Sequence, residues 1–157
     1  MIPAASGAIL KIGGDYPYTF QGVAAGTSPV ADGQPASAGQ VYGTVIYEVK
    51  GDLQDRPLPA PAPQMVFRWS RCGGLQCQSD PVQRTRAYIP RSQADQSGDA
   101  QSADPSEMLS PGDTYLGLVT AEMPQSVDRR RLELCNVSFT SIKDCIPVGT
   151  LPPLPKY

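Results

Sequence analysis

Proline and glycine set the first constraint on this chain. Its 157 residues carry 17 Pro and 15 Gly, about a fifth of the total, scattered from end to end. A proline inside a helix removes a backbone donor and clashes with the preceding turn, so long helices have little room here. Short strands joined by turns tolerate the same punctuation, and strand and turn signals recur down the chain as in an all-β sandwich. No convincing amphipathic helix interrupts them.

The strands announce themselves by a period of two. In residues 41–50, Val41, Val45, Tyr47 and Val49 alternate with Tyr42, Thr44, Glu48 and Lys50, and Gly51-Asp52 ends the run as a turn. Residues 65–72 read as a second strand, with Phe67 and Trp69 on one face and Arg68 and Ser70 on the other. Residues 114–122 are a third strong strand, and residues 84–90 a further one. Residues 16–21 suggest an early strand whose Pro17 belongs at an edge or a strand start. Residues 131–136 and 137–142 make the last strand region.

The connections are equally legible. Residues 27–39 read as loop. Residues 58–63 alternate proline with Leu or Ala and predict a polyproline-like connector. Ser110-Pro-Gly-Asp113 predicts a turn. Residues 92–106 are polar and predict a surface loop; Asp95, Asp99 and Asp104 within it do not have the alternate spacing of a calcium loop. Leu151-Pro-Pro-Leu-Pro155 predicts an extended tail, as a linker or an edge cover rather than a polyproline ligand. The expected organisation is thus an extended N-terminal segment over 1–39, able to add an edge strand, a sandwich domain over 40–146, and a Pro-rich tail over 147–157. The mildly apolar start, residues 1–10, lacks a basic region and reads as a processed start rather than an intact signal peptide.

Four cysteines stand in two local pairs, Cys72 with Cys77 and Cys135 with Cys145. Each segment reads as a hairpin, so local bridges are expected; a crossed pairing remains the rival. The spacings lack the tight knuckles of a zinc site. Disulfides imply an oxidising compartment: periplasm, cell surface or outside.

Composition removes several function classes. Net charge is −2, with no basic face able to hold a phosphate backbone, so no nucleic acid is expected as a partner. No apolar run is long enough to span a membrane as a helix. Histidine is absent, which removes the commonest general base and metal ligand together. No nucleophile elbow, P-loop or dinucleotide fingerprint is present. Glu107, Glu122 and Glu133 could in principle pair as a glycosidase needs, but any acidic set offers such pairs. The expectation is therefore a protein that is not an enzyme, with no cofactor and no metal.

One constellation is more specific. Trp69-x-Arg71-Cys72 is followed closely by Cys77, and later by Thr114-Tyr-Leu-Gly-Leu-Val-Thr-Ala121. Together with Tyr47-Glu-Val-Lys-Gly-Asp52 and the Pro-rich connector, this resembles the bacterial immunoglobulin-like (Big-type) domains of intimin/invasin-like adhesins and their secreted partner proteins. The likeness covers residues 41–122; residues 123–157, with the second cysteine pair, have no counterpart in it.

The resemblance implies an immunoglobulin-like antiparallel β-sandwich, here with two local disulfide-bridged hairpins and extended termini. It also implies a non-catalytic adhesion or protein-interaction module, secreted, surface-exposed or periplasmic and virulence-associated. The partner would be another protein: a surface receptor, an exporter or a sister subunit. Trp69 is expected as the core anchor rather than a carbohydrate contact. Arg129, Arg130 and Arg131 are candidates for docking an acidic partner, against the plainer expectation of a solvated turn. A structural subunit of a surface appendage or phage particle is the alternative, since such subunits are also β-rich and often donate a terminal strand to a neighbour.

Overall fold

A computed structural model describes residues 5–7, 9–12, 17–31, 33–59, 65–69, 84–90, 108–127, 129–137 and 142–154. Their strands are β1 (Ile9–Ile12), β2 (Tyr18–Ser28), β3 (Val30–Ala31), β4 (Gln34–Pro35), β5 (Gln40–Gly51), β6 (Leu58–Pro59) and β7 (Met65–Trp69), then β8 (Arg84–Pro90), β9 (Met108–Leu109), β10 (Thr114–Pro124), β11 (Leu132–Val137) and β12 (Ile142–Pro147). A single 3-10 turn, Arg129–Arg131, is the one helical piece among the described residues. The fold is all-β, as the prolines require.

Two antiparallel sheets carry it. The large one runs β1-β2-β5-β10-β8 and the small one β12-β11-β7. Their inner faces meet in one buried cluster. The large sheet sends in Tyr18 and Phe20 from β2, Val45, Tyr47 and Val49 from β5, and Tyr115, Val119 and Met123 from β10. The small sheet answers with Phe67, Leu132, Leu134 and Ile146. Side chains of this size each contribute about 1.5–3 kcal/mol on full burial, so this cluster is the main source of stability. The rings of Phe20 and Tyr47 pack tilted at 5.7 Å within it.

Strands form at 41–50, 84–90 and 114–122, where the sequence leads one to expect them. Of the expected strand at 65–72, residues 65–69 form β7; residues 70–72 lie outside the described part of the chain, as does the loop at 92–106. Residues 131–147 are two strands rather than one region: β11 and β12 form an antiparallel hairpin with Cys135 directly opposite Cys145. Residues 27–39 are more ordered than loop, for β2 continues to Ser28 and β3 pairs with β4. The polyproline connector begins inside a ladder. Leu58 and Pro59 pair with Leu109 and Met108, and Leu58 and Leu109 are both buried in the shared core.

The N-terminal segment is part of the large sheet. β2 pairs with β5 along its whole length, interrupted by one bulge between Gly22 and Ala24. The extra residue, Val23, reverses the alternation of β2 beyond it. Before the bulge Phe20 faces the shared core; after it, Ala25 does. On the opposite face Val23, Ala24, Ile46 and Leu116 form a second buried cluster, covered in part by Ala5 and Leu154. This explains why Ile46, between inward-facing Val45 and Tyr47, is itself buried.

The Pro-rich tail returns to the same place. Val148 lies in the shared core, and Gly149-Thr150 turn the chain toward β2. The Ala25 N–H donates to the Pro152 carbonyl at 2.9 Å, and Ala25 and Pro153 form a parallel bridge. β1 pairs with β2 only as far as Gln21. The outer edge of β2 is therefore covered in relay, first by β1 and then by the tail. An uncovered edge is a template for unwanted pairing, and proline suits the cover because it offers no donor of its own.

Candidate interaction surface

β7 and β11 bring two of the sequence-marked features together. Their register sets Trp69 opposite Leu132 and Arg68 opposite Glu133. Leu132 follows directly on the 3-10 turn, so the three arginines adjoin the Trp69 end of the small sheet. The turn is anchored at both ends. Val127 packs against the shared core, its N–H donating to the Pro124 carbonyl at 3.2 Å, and Leu132 is buried. With its flanks held by apolar residues, the turn presents Arg130 and Arg131 as exposed side chains that also make contacts within the fold. The side chain of Arg129 lies outside the described part.

Trp69 is half-buried and packs on the rim of the shared core, while Phe67, two residues earlier on the same face, is fully buried at its centre. The physical reason is position along the strand: Phe67 lies opposite Leu134 in mid-ladder, and Trp69 at the ladder's end. A rim tryptophan beside exposed arginines has the chemistry of a protein-contact hot spot, since Trp and Arg are enriched there.

Cys135 and Cys145 form a disulfide with their Cα atoms 4.0 Å apart. Strand alternation puts it on the face of the small sheet opposite to that of Leu132 and Leu134, so it locks the β11–β12 hairpin and does not join the two sheets. Cys135 is fully buried nonetheless. Cys72, Cys77 and Arg71 lie outside the described residues, as do Asp95, Asp99, Asp104 and Glu107.

The candidate carboxylates do not converge. Glu122, on β10, accepts bonds from the Ser37 N–H at 2.8 Å and the Ser37 hydroxyl at 3.2 Å, which pins the β4–β5 connection. Glu133 belongs to the other sheet. Among the described residues no group of three or more His, Cys, Asp or Glu could hold a metal ion, and no helix is long and apolar enough to cross a membrane.

One feature on the outward face of the large sheet has no signal in the sequence. Thr19, Gln21, Glu48, Lys50 and Thr114 line a shallow polar hollow. It arises because β2, β5 and β10 align Thr19 with Lys50 and Lys50 with Thr114. Only the register brings these residues side by side. No family model, curated protein or solved structure matches this chain.

Proposed function

We propose that this chain is an immunoglobulin-type β-sandwich acting as a non-catalytic protein-interaction module outside the cytoplasm: on a cell surface, secreted, or in a periplasm. Strand order carries the proposal. With β2, β5, β7, β8, β10, β11 and β12 lettered A to G in chain order, the large sheet reads A-B-E-D and the small sheet G-F-C. This order agrees with the constant-type arrangement of immunoglobulin domains, with β1 as an added edge strand, and so supports the reading. Trp69 then stands on strand C and Cys135 on strand F, as in such domains. The disulfide differs, running from F to G and not from B to F. Strand B instead gives Val45, Tyr47 and Val49 to the apolar core.

The Cys135–Cys145 disulfide supports this compartment, because such a bond persists under oxidising conditions. A sequence without histidine or a nucleophile motif favours binding over catalysis. The contact surface in this proposal is the end of the small sheet that carries Trp69 and, just before the Leu132 opposite it, Arg130 and Arg131. Its partner is an acidic protein surface, such as that of a receptor or exporter of the adhesin systems that the sequence resembles.

The test is saturable binding of labelled protein to intact cells and envelope fragments. Arg130→Glu with Arg131→Glu is expected to weaken it at least tenfold with the circular dichroism unchanged. Absence of saturable binding, or equal binding by the charge-reversed protein, overturns the assignment of this surface.

A further inference from the structure

The tail is seated in a notch made for it. Leu151 lies over Gly22, where a Cβ would stand 2.7 Å from its Cδ1, and Leu154 lies over Gly26, where a Cβ would stand 3.0 Å from its Cδ1. Gly7 closes the first position, since a Cβ there would come 2.9 Å from the Leu151 Cδ2. The two glycines of β2 are four apart and would share a face in a regular strand. The bulge at Val23 puts them on opposite faces. Leu151 therefore packs against the shared core and Leu154 against the outer cluster, with Pro152 and Pro153 crossing the sheet edge between them. The notch thus reads a spacing, leucine-x-x-leucine, in an extended backbone.

We propose that this notch also receives the Leu151–Leu154 segment of a second copy, so that copies of the chain link by exchanging tails. Three observations carry this. Every copy bears a segment of the required spacing, so a second copy fits by identity of sequence. The described tail is held on β2 by the single bridge at Ala25–Pro153, with the Ala25 N–H donating to the Pro152 carbonyl, and by its two leucines. Its hinge is short: Gly149-Thr150, closed by the Leu151 N–H donating to the Val148 carbonyl at 3.3 Å. Straightening two residues redirects the tail while leaving Val148 in the core, and exchange of an identical element about a hinge is a low-cost route to association. A released tail leaves the Ala25 N–H and the outer cluster bare, so the edge is re-covered by whichever tail is at hand. A tethered tail has an effective concentration of order millimolar, so exchange prevails where the chain is crowded or arrayed.

Cysteine trapping tests this on the full chain. An ideal Cβ at residue 26 stands 3.8 Å from the Leu154 Cβ, the usual separation across a disulfide. Gly26→Cys and Leu154→Cys in one chain are expected to cross-link within the monomer when dilute. A concentrated mixture of the two single variants is expected to yield a covalent heterodimer at least tenfold above a control pairing Gly26→Cys with Ser110→Cys. Cross-linking within the double variant but no heterodimer above that control overturns the exchange, and failure of both overturns the notch as well. As a measurement free of new cysteines, sedimentation of the wild-type chain is expected to show self-association. It should weaken at least tenfold on changing Leu151→Ser and Leu154→Ser together; a wild-type monomer at all concentrations up to about the millimolar range overturns the proposal.

Discussion

Leu151 rests on Gly22 at the one place where the outer edge of β2 passes from the cover of β1 to that of the tail. A side chain at residue 22 has nowhere to go unless the leucine moves. Gly22→Val is therefore expected to unseat the tail and to cost about 1–3 kcal/mol, as overpacking does. Leu151→Ala removes a half-buried side chain and is expected to cost about 1–2 kcal/mol, below the ~2–5 kcal/mol of a fully buried leucine. The double variant should lose less than the two singles added together, because both act on one contact. Urea denaturation of the three variants measures all of this.

Phe67 and Trp69 share a face of β7 but not a depth. Phe67→Ala is expected to cost about 3–5 kcal/mol, the range for a buried aromatic. Trp69→Ala should cost clearly less, because part of its surface is already in water. Calorimetry on both variants gives the order; a larger loss at Trp69 would mean that the rim carries the sandwich.

The Cys135–Cys145 bridge closes a short loop, with a sequence separation of 10. The chain-entropy account gives about 2–3 kcal/mol for a loop of this size. Replacing both cysteines by Ser is expected to lower stability by about that amount, without unfolding the core, since the bridge joins strands of one sheet. Intact mass should rise by about two units on reduction for this bridge alone, one hydrogen per sulfur.

Thr44 and Thr120 face one another across β5 and β10, their hydroxyl oxygens 3.0 Å apart. Thr120 is buried, so Thr44→Val leaves it without that partner. Either single Thr→Val change is expected to cost about 1 kcal/mol, and the pair together less than the sum, since no hydroxyl is then stranded. A double-mutant cycle reads the coupling directly.

Much of the fold is legible along the chain because period-2 patterning is local. Val45, Tyr47 and Val49 reveal their shared face without any knowledge of what they meet, and Cys135 and Cys145 lie close enough for a hairpin to pair them. The candidate surface was legible only residue by residue. Trp69 and Arg131 are 62 positions apart, and nothing between them says that β7 and β11 are neighbours. Ile46 was illegible for another reason: the cluster that buries it draws on Val23 and Ala24, Leu116 and the distant Ala5 and Leu154.

By itself, then, the sequence determined the class of structure. Seventeen prolines and the alternating strands leave little besides short antiparallel β-elements, because backbone donors and side-chain direction are properties of adjacent residues. The tertiary structure decided strand order, the depth of Trp69 relative to Phe67, and the return of the tail to β2. Each of these depends on long-range register, and one extra residue at Val23 is enough to turn Gly22 and Gly26 to opposite faces. A bulge changes the accounting of every side chain beyond it, and its place is set by what packs on the two faces of the finished sheet.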